Sequence, residues 1–342
     1  MSLQKTAVII LNWNGKVFLE KFLPAVVKYS SGIAEIIIAD NSSKDDSINF
    51  LETNFPEVRI IEFKENFGFS KGYNEALKNV TADYFVLLNT DIEVTENWLQ
   101  PVIKMMENDK NIGACQPKLL SYNDKKKFEY AGGAGGYIDK FGYPFCRGRI
   151  FQNIEEDKSQ YNDAVEIFWA TGACMFVRAD LFRVIGGLDD DFFAHMEEID
   201  FCWRLKNAGY KIMYCPDSVV YHVGGGTLPK NNSRKTYLNF RNNLSLLYKN
   251  LPENKFHRIF LLRFILDGIA AFRFLAEGHI LDFIAVAKAH FSFYFSIRKL
   301  DKKRKLMSHR KVSCIYQRNI VWDYFVNKIK LFTQLNSSDF SK

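Results

Sequence analysis

No Cys-x-x-Cys pair occurs in this chain: its six cysteines, Cys115, Cys146, Cys174, Cys202, Cys215 and Cys314, are scattered over 342 residues. That spacing suggests neither a zinc knuckle nor a disulfide framework and points to a reducing compartment. The first apolar run is not followed by Gly-x-Gly-x-x-Gly; Asn12-Trp13-Asn14-Gly15 carries one glycine there, which sets aside a dinucleotide-dependent oxidoreductase. Ala7 to Leu11 stops at Asn12 and is too short for the apolar part of a secretion signal, so a cytoplasmic chain is expected. Between Phe256 and Ile297 there is no uncharged stretch of about 18 residues, the length a spanning helix needs. Arg263, Asp267, Arg273, Glu277, Asp282 and Lys288 interrupt it, and the segment is not expected to cross a bilayer. Internal repeats and low-complexity tracts are also missing, and 47% hydrophobic with 25% charged residues describes an ordinary folding chain.

What is present is a series of buried strands that end in acids. Tyr84 to Leu88 is uninterrupted and apolar, the pattern of a central parallel strand, and Asp91 lies just past its carboxyl end. Thr6 to Leu11 precedes a helical pattern, Glu35 to Ala39 ends at Asp40, and Val58 to Phe63 leads into the polar loop Asn66 to Asn74. Strands alternating with helices at this spacing predict right-handed βαβ units, a mostly parallel sheet and an α/β fold with helices on both faces. Ligands of such sheets bind beyond the strand ends, so Asp40, the Asn66–Asn74 loop and Asp91 are predicted to share one edge.

Periodicity weakens from Lys118 to Ile167, where loops and a hairpin are expected and the run Gly132 to Gly136 reads as flexible rather than as a phosphate loop. Phe168 to Val177 is strand-like again. A helix is predicted through Glu197-Glu198-Ile199-Asp200, with Glu197, Asp200 and Arg204 on one side and Glu198 turned by about 100°. Lys211–Tyr214 and Ser218–Tyr221 read as two strand fragments, the second ending at His222 beside Gly224-Gly225-Gly226. Each of these groups has a bland counterpart: a turn aspartate, acids that merely favour a helix N-terminus, or a structural histidine.

Charge divides the chain. Residues 1–230 hold 25 Lys and Arg against 32 Asp and Glu, a balance of −7, while residues 231–342 hold 21 against 7, a balance of +14. A boundary is therefore expected near residue 230, between a catalytic domain over 1–230 and a basic, amphipathic helical region over 231–342. Three readings stay open for the latter: a peripheral contact with an anionic membrane on its cytoplasmic face, an oligomer surface, or a helical cap on the catalytic part. A nucleic-acid partner is not expected.

These polar clusters suit one chemistry. Asp40 can accept from a pyrimidine N–H, Asp91 with His222 can hold a divalent ion at a diphosphate, and an acid among Glu197, Glu198 and Asp200 can deprotonate an attacking hydroxyl. Seven motifs then carry a resemblance: Val8 to Gly15, Asp40-Asn41-Ser42-Ser43, Asn66-Phe67-Gly68-Phe69, Leu88-Asn89-Thr90-Asp91, Thr171-Gly172-Ala173-Cys174, Gly186-Gly187-Leu188-Asp189 and Glu197-Glu198-Ile199-Asp200. In order and combination they resemble the family 2 glycosyltransferases of the GT-A fold, in particular the bacterial rhamnosyltransferase-like branch.

The resemblance implies transfer of a sugar from a nucleoside-diphosphate sugar to a saccharide or lipid-linked hydroxyl, with inversion, in cell-surface polysaccharide or glycolipid assembly. It implies a metal, Mn2+ or Mg2+, at Asp91 and His222, with Asn89 standing where the family's first metal-site acid is usual. Glu198 inherits the role of base, with Glu197 and Asp200 as companions. Asn12, Asp40, Asn66, Gly68, Lys71, Asn89, Thr90 and Asp91 are the expected donor contacts, and Trp169 and Gly172 the acceptor-side ones. The rival reading is a non-catalytic carbohydrate- or partner-binding module on the same fold.

Overall fold

The structure is a computed structural model and describes residues 5–224 and 232–342. The chain opens with β1 (Thr6–Asn12), α1 (Lys16–Ser30), β2 (Ala34–Asp40), α2 (Ser47–Asn54), β3 (Arg59–Glu62), α3 (Gly68–Leu77), β4 (Tyr84–Asn89) and β5 (Ile92–Val94). It continues with α4 (Gln100–Asn108), β6 (Ile112–Ser121), β7 (Gly136–Asp139), β8 (Pro144–Cys146), β9 (Arg149–Ile150), β10 (Asn153–Ile154) and β11 (Val165–Ile167). Then follow β12 (Cys174–Arg178), α5 (Ala179–Val184), α6 (Glu197–Asn207) and β13 (Lys211–His222). The last elements are α7 (Ser233–Asn250), α8 (Glu253–Ala276), α9 (Ile280–Arg304), β14 (Ile315–Tyr316) and α10 (Ile320–Phe325).

A nine-stranded sheet runs in the order β11-β13-β6-β12-β4-β1-β2-β3, with β5 also paired to β13. The half from β4 to β3 is parallel, and Ile9 of β1 lies between Ile37 of β2 and Leu87 of β4. Both faces of β1, β4 and the carboxyl half of β2 are covered, which is why their sequences are continuous apolar runs, whereas the edge strand β3 exposes Arg59 and Glu62. Leu19, Phe22, Leu23 and Val26 form the stripe by which α1 seals one face.

The other half is mixed. β12 lies antiparallel between β4 and β6. It returns from a long β excursion instead of a crossover helix, so nothing imposes parallel direction on it. β13 is one strand rather than two fragments. Its register shifts between Cys215 and Val219, a bulge that accommodates Pro216 without breaking the ladder with β6.

The stretch of weak periodicity builds a second, five-stranded sheet ordered β10-β9-β8-β7-β14. The glycines 132–136 entering it are buried, not the flexible loop expected. A Cβ on Gly136 would fall 2.1 Å from the Trp169 indole, so the chain needs glycine for close packing there.

Residues on both sides of the boundary expected near 230 share one core. Leu246, Leu247, Leu251, Tyr316 and Tyr324 cluster with Ile9, Leu87 and Trp203. β14 extends β7 in parallel, and the backbone N–H of Ile320 donates to Asp139 Oδ2 at 3.1 Å.

Candidate active site

The carboxyl ends of β1, β2 and β4 come together, as the strand alternation predicts. At that edge Asn12 Nδ2 donates to Asp40 Oδ2 at 2.8 Å, and the Ser43 hydroxyl and backbone N–H donate to Asp40 at 2.6 and 2.8 Å. Asp40 is thus buried and held by its own loop. Asn12 Oδ1 is buried with no partner among the described residues, and a Cβ on Gly15 would come within 2.4 Å of it and 3.5 Å of the Thr90 methyl. Asn12, Gly15 and Thr90 therefore line one spot with an unused acceptor. Beside it, Asn66 Oδ1 caps the Gly68 N–H at 2.8 Å, Gly68 turns at φ +74°, and Lys71 lies over the Phe67 ring.

Asp91 follows β4, and His222 ends β13. β5 pairs with β13 so that Ile92 opposes His222, which brings the neighbouring acid to the imidazole: Asp91 Oδ1 is 3.2 Å from His222 Nε2. The other ring nitrogen faces Glu129, with Nδ1 at 3.3 Å from Oε1. Burial opposes the charge on His222, but Glu129 and Asp91 outweigh it and raise its pKa to about 10. Burial likewise works against ionised Asp91, and the hydrogen bond from His222 overcomes this to hold Asp91 below the usual carboxylate range. Gly225 and Gly226 lie outside the described residues.

A divalent cation is implied by the family resemblance, and two groups here fit one. Asp91 offers a hard oxygen and His222 an imidazole nitrogen, close enough to serve one ion, while Glu129 lies 3.3 Å from the far ring nitrogen, the side on which carboxylates orient the ring in many metal sites. No three His, Cys, Asp or Glu side chains among the described residues converge as ligands, so the donor's phosphate oxygens would have to complete the shell.

Across the turn Thr171–Ala173 stand the acids of α6. The Asn89 N–H donates to the Ala173 carbonyl at 3.0 Å, while a Cβ on Gly172 would lie 3.1 Å from the Phe69 ring and 3.8 Å from Glu198 Cβ. One turn therefore separates the end of β4 from Glu198. Glu197 Oε2 and Glu198 Oε2 are buried without partners among the described residues. Burial raises Glu198 to about 7, and burial together with the charge of Glu198 pushes Glu197 well above the usual range.

Asp200 and Trp169 are placed elsewhere than the sequence suggested. Asp200 is fully buried and taken up by Arg204, Lys249 and Asn250 at 2.8–2.9 Å, because its side of α6 packs on α7. Trp169 packs on Gly136 and donates its indole N–H to the Tyr137 carbonyl at 2.9 Å, inside the wall joining the two sheets.

The loop before α6 is strained: Phe193, His195 and Met196 have φ of 64°, 70° and 73°. Such non-glycine conformations cost on the order of 1–3 kcal/mol each and persist only where the surroundings fix them. Here α7 does so. Asn242 Nδ2 donates to the carbonyls of Phe192, Ala194 and His195, and Arg241 donates to those of Asp191 and Phe192. Lys249 and Lys303 also grip Asp189, and Lys299 and Lys303 grip Asp191. Glu129, Arg241 and Asn242 were not anticipated; none sits in a motif, and Arg241-Asn242-Asn243 reads in sequence only as a polar interruption of a helix.

Residues 7–186 match the family described as "Glycosyl transferase family 2". An N-acetylglucosaminyl-diphospho-decaprenol L-rhamnosyltransferase of Mycobacterium tuberculosis is 22% identical, the alignment covering 63% of this chain and 75% of that protein. The low-salt glycan biosynthesis hexosyltransferase Agl10 of Haloferax volcanii is 23% identical over 83% of this chain and 89% of its own. Rhamnosyltransferase WbbL of Escherichia coli is 26% identical over 55% and 72%. Among solved structures, GalNAc-T7 with UDP, GalNAc and Mn2+ matches with a TM-score of 0.59 at 16% identity, over 74% of this chain and 49% of that one. Mannosyltransferase PcManGT from Pyrobaculum calidifontis, in complex with GDP-Man and Mn2+, matches at 0.51 and 14%, over 88% and 84%. These likenesses show the GT-A fold.

Proposed function

This chain belongs to glycosyl transferase family 2 and is a nucleotide-sugar glycosyltransferase of polysaccharide assembly, and from that membership we propose a single inverting displacement. A rhamnosyl or other hexosyl residue leaves a nucleoside-diphosphate sugar for a saccharide hydroxyl, carried on a lipid in the reading favoured by the decaprenol-linked name of one relative. The observation that carries the mechanism is the buried Oε2 of Glu198, without a partner among the described residues and one turn from the end of β4.

Glu198 takes the proton of the acceptor hydroxyl as that oxygen bonds to the anomeric carbon, and the bond from that carbon to the diphosphate breaks with its electron pair leaving on the nucleoside diphosphate. Glu197, raised further by burial and by its neighbour, stays protonated and leaves Glu198 as the ionised member of the pair. Asn12 Oδ1 and Thr90 receive the donor, Asn66 and Gly68 shape the adjoining loop, and Asp40 and Asn89 hold that edge in place. Asp91 and His222 are the residues that would hold a divalent cation, Mn2+ or Mg2+, and when bound it would supply positive charge to offset that of the diphosphate. Asp200 and Trp169 act as packing groups, and Gly172 keeps room for the acceptor beside Glu198.

Glu198→Gln keeps the shape and removes the proton acceptor. Turnover is expected to fall by about 10²–10⁴ with donor affinity nearly unchanged. The parent's kcat is expected to drop as pH falls through about 7, because a base must be ionised to accept, and this limb should vanish in Glu198→Gln. Retained anomeric configuration in the product, or an unimpaired Glu198→Gln enzyme, contradicts the mechanism.

A further inference from the structure

The helices α8 and α9 form an antiparallel hairpin turned at Gly278, and their inner edges are fixed. Ile259, Arg263, Asp267 and Ala271 face inward on α8; Arg263 donates to the Phe141 carbonyl and to Asn243 Oδ1, and the Tyr143 hydroxyl donates to Asp267. On α9, Ala285, Val286, Ala289 and Phe293 face inward, and Asp282 and Ser292 bond to Thr236 and Tyr237 of α7.

The outer edges run against the usual pattern. A surface helix normally turns its polar side to water. Here α8 shows Arg258, Leu261, Ile265, Phe272 and Leu275 along one stripe, and Phe272 is 66% exposed. On α9 the stripe is Ile284, Lys288, Phe291, Phe295, Arg298 and Lys302, in 4-3-4-3-4 spacing, with Phe291 66% and Phe295 87% exposed. The same surface continues onto α10, where Arg273 of α8 lies over the Phe325 ring and Trp322 is 59% exposed. A contiguous apolar patch of this kind marks a binding surface.

The charges choose its occupant. Because the helices are antiparallel, Arg258 lies at the same end of the hairpin as Arg298 and Lys302, and Lys288 interrupts the apolar stripe midway. Among the described residues none of these four has an acidic partner. Unpaired bases bordering exposed aromatics match an anionic headgroup layer over acyl chains.

We propose that the outer face of α8 and α9, continued by α10, docks flat on an anionic lipid bilayer. α9 is long and apolar enough to span a membrane by length and composition. Its bonds to α7, whose Arg241 and Asn242 hold the loop before α6, keep it along the protein instead of across the membrane. Docking would then set the acids of α6 at a fixed height above the bilayer. This extends the lipid-linked reading of the acceptor, but its test needs no sugar transfer.

The test is co-sedimentation of the full chain with phosphatidylcholine vesicles containing or lacking phosphatidylglycerol. Binding should require phosphatidylglycerol, weaken with salt, and fall at least ~10-fold in Phe291→Ser/Phe295→Ser and in Lys288→Glu/Arg298→Glu, while both variants keep the parent's melting temperature and donor affinity. Two variants of opposite chemistry guard against a folding artefact in either. No binding at low salt, or parental binding by both variants, overturns the proposal. So does a parent dimer that the serine variant loses, which would give the face to a second copy. Protein that resists alkaline carbonate extraction from vesicles would make α9 a spanning helix and also refute it. Loss of transfer with vesicle binding intact would count against the proposed acceptor and leave the surface standing.

Discussion

His222 sits between two carboxylates, and only one of them was visible in advance. Asp91 and His222 close buried strands, and strand ends can be read from apolar runs bounded by polar residues. Glu129 lies where periodicity is weak, and it reaches the imidazole only because β6 and β13 pair along their whole length, ending at Ser121 and His222. With its neighbour on Nδ1, the ring presents Nε2 toward Asp91. Glu129→Gln removes that charge while keeping the volume, and carboxylates in this position typically contribute 10–100-fold to metal affinity. Isothermal titration with manganese and nucleoside diphosphate should show a loss of about that size. Unchanged affinity would mean that Glu129 does not orient the ring. Asp40 shows the opposite limit: its place at a strand end was legible, but its engagement by Asn12 and Ser43 depends on a loop closing over it.

Among the elements, α6 shows where helical periodicity stops informing. The spacing of Glu197, Asp200 and Arg204 was correct, but which side of the helix meets the reaction was not contained in it. Asp200 faces Lys249, 49 residues away, and Asp189 shares that lysine. Burial works against both ionised acids, and Lys249 overcomes it, holding them below the usual range. Their contribution to stability is therefore present above the ordinary carboxylate pKa of about 4 and is lost as pH falls toward their depressed values. Lys249→Met leaves two buried acids short of a partner. A loss of about 3–5 kcal/mol is expected in chemical denaturation near neutral pH, partly recovered by adding Asp200→Asn. A change within about 0.5 kcal/mol, the ordinary range for surface substitutions, would show that the network is not a brace for α6.

At the level of the whole molecule, the parallel half of the sheet and the edge where its strands end follow from hydrophobic runs and their spacing. The second sheet does not. Its strands β9 and β10 are two residues each, too short for any period, and it is completed by β14 from the far end of the chain. The basic C-terminal helices were legible as amphipathic, but their grip on the loop before α6 rests on side chains such as Asn242 that carry no sequence signature. The proposed mechanism has one centre, a sugar nucleotide held at Asp91 and attacked beside Glu198. It is tested most directly by measuring nucleoside diphosphate released from UDP-, GDP- and dTDP-sugars with manganese, comparing the parent with Asp91→Ala. The account predicts release from at least one donor, stopped by chelation and lost in Asp91→Ala while the variant keeps its fold. Release by Asp91→Ala with the parent's rate and manganese dependence would contradict it.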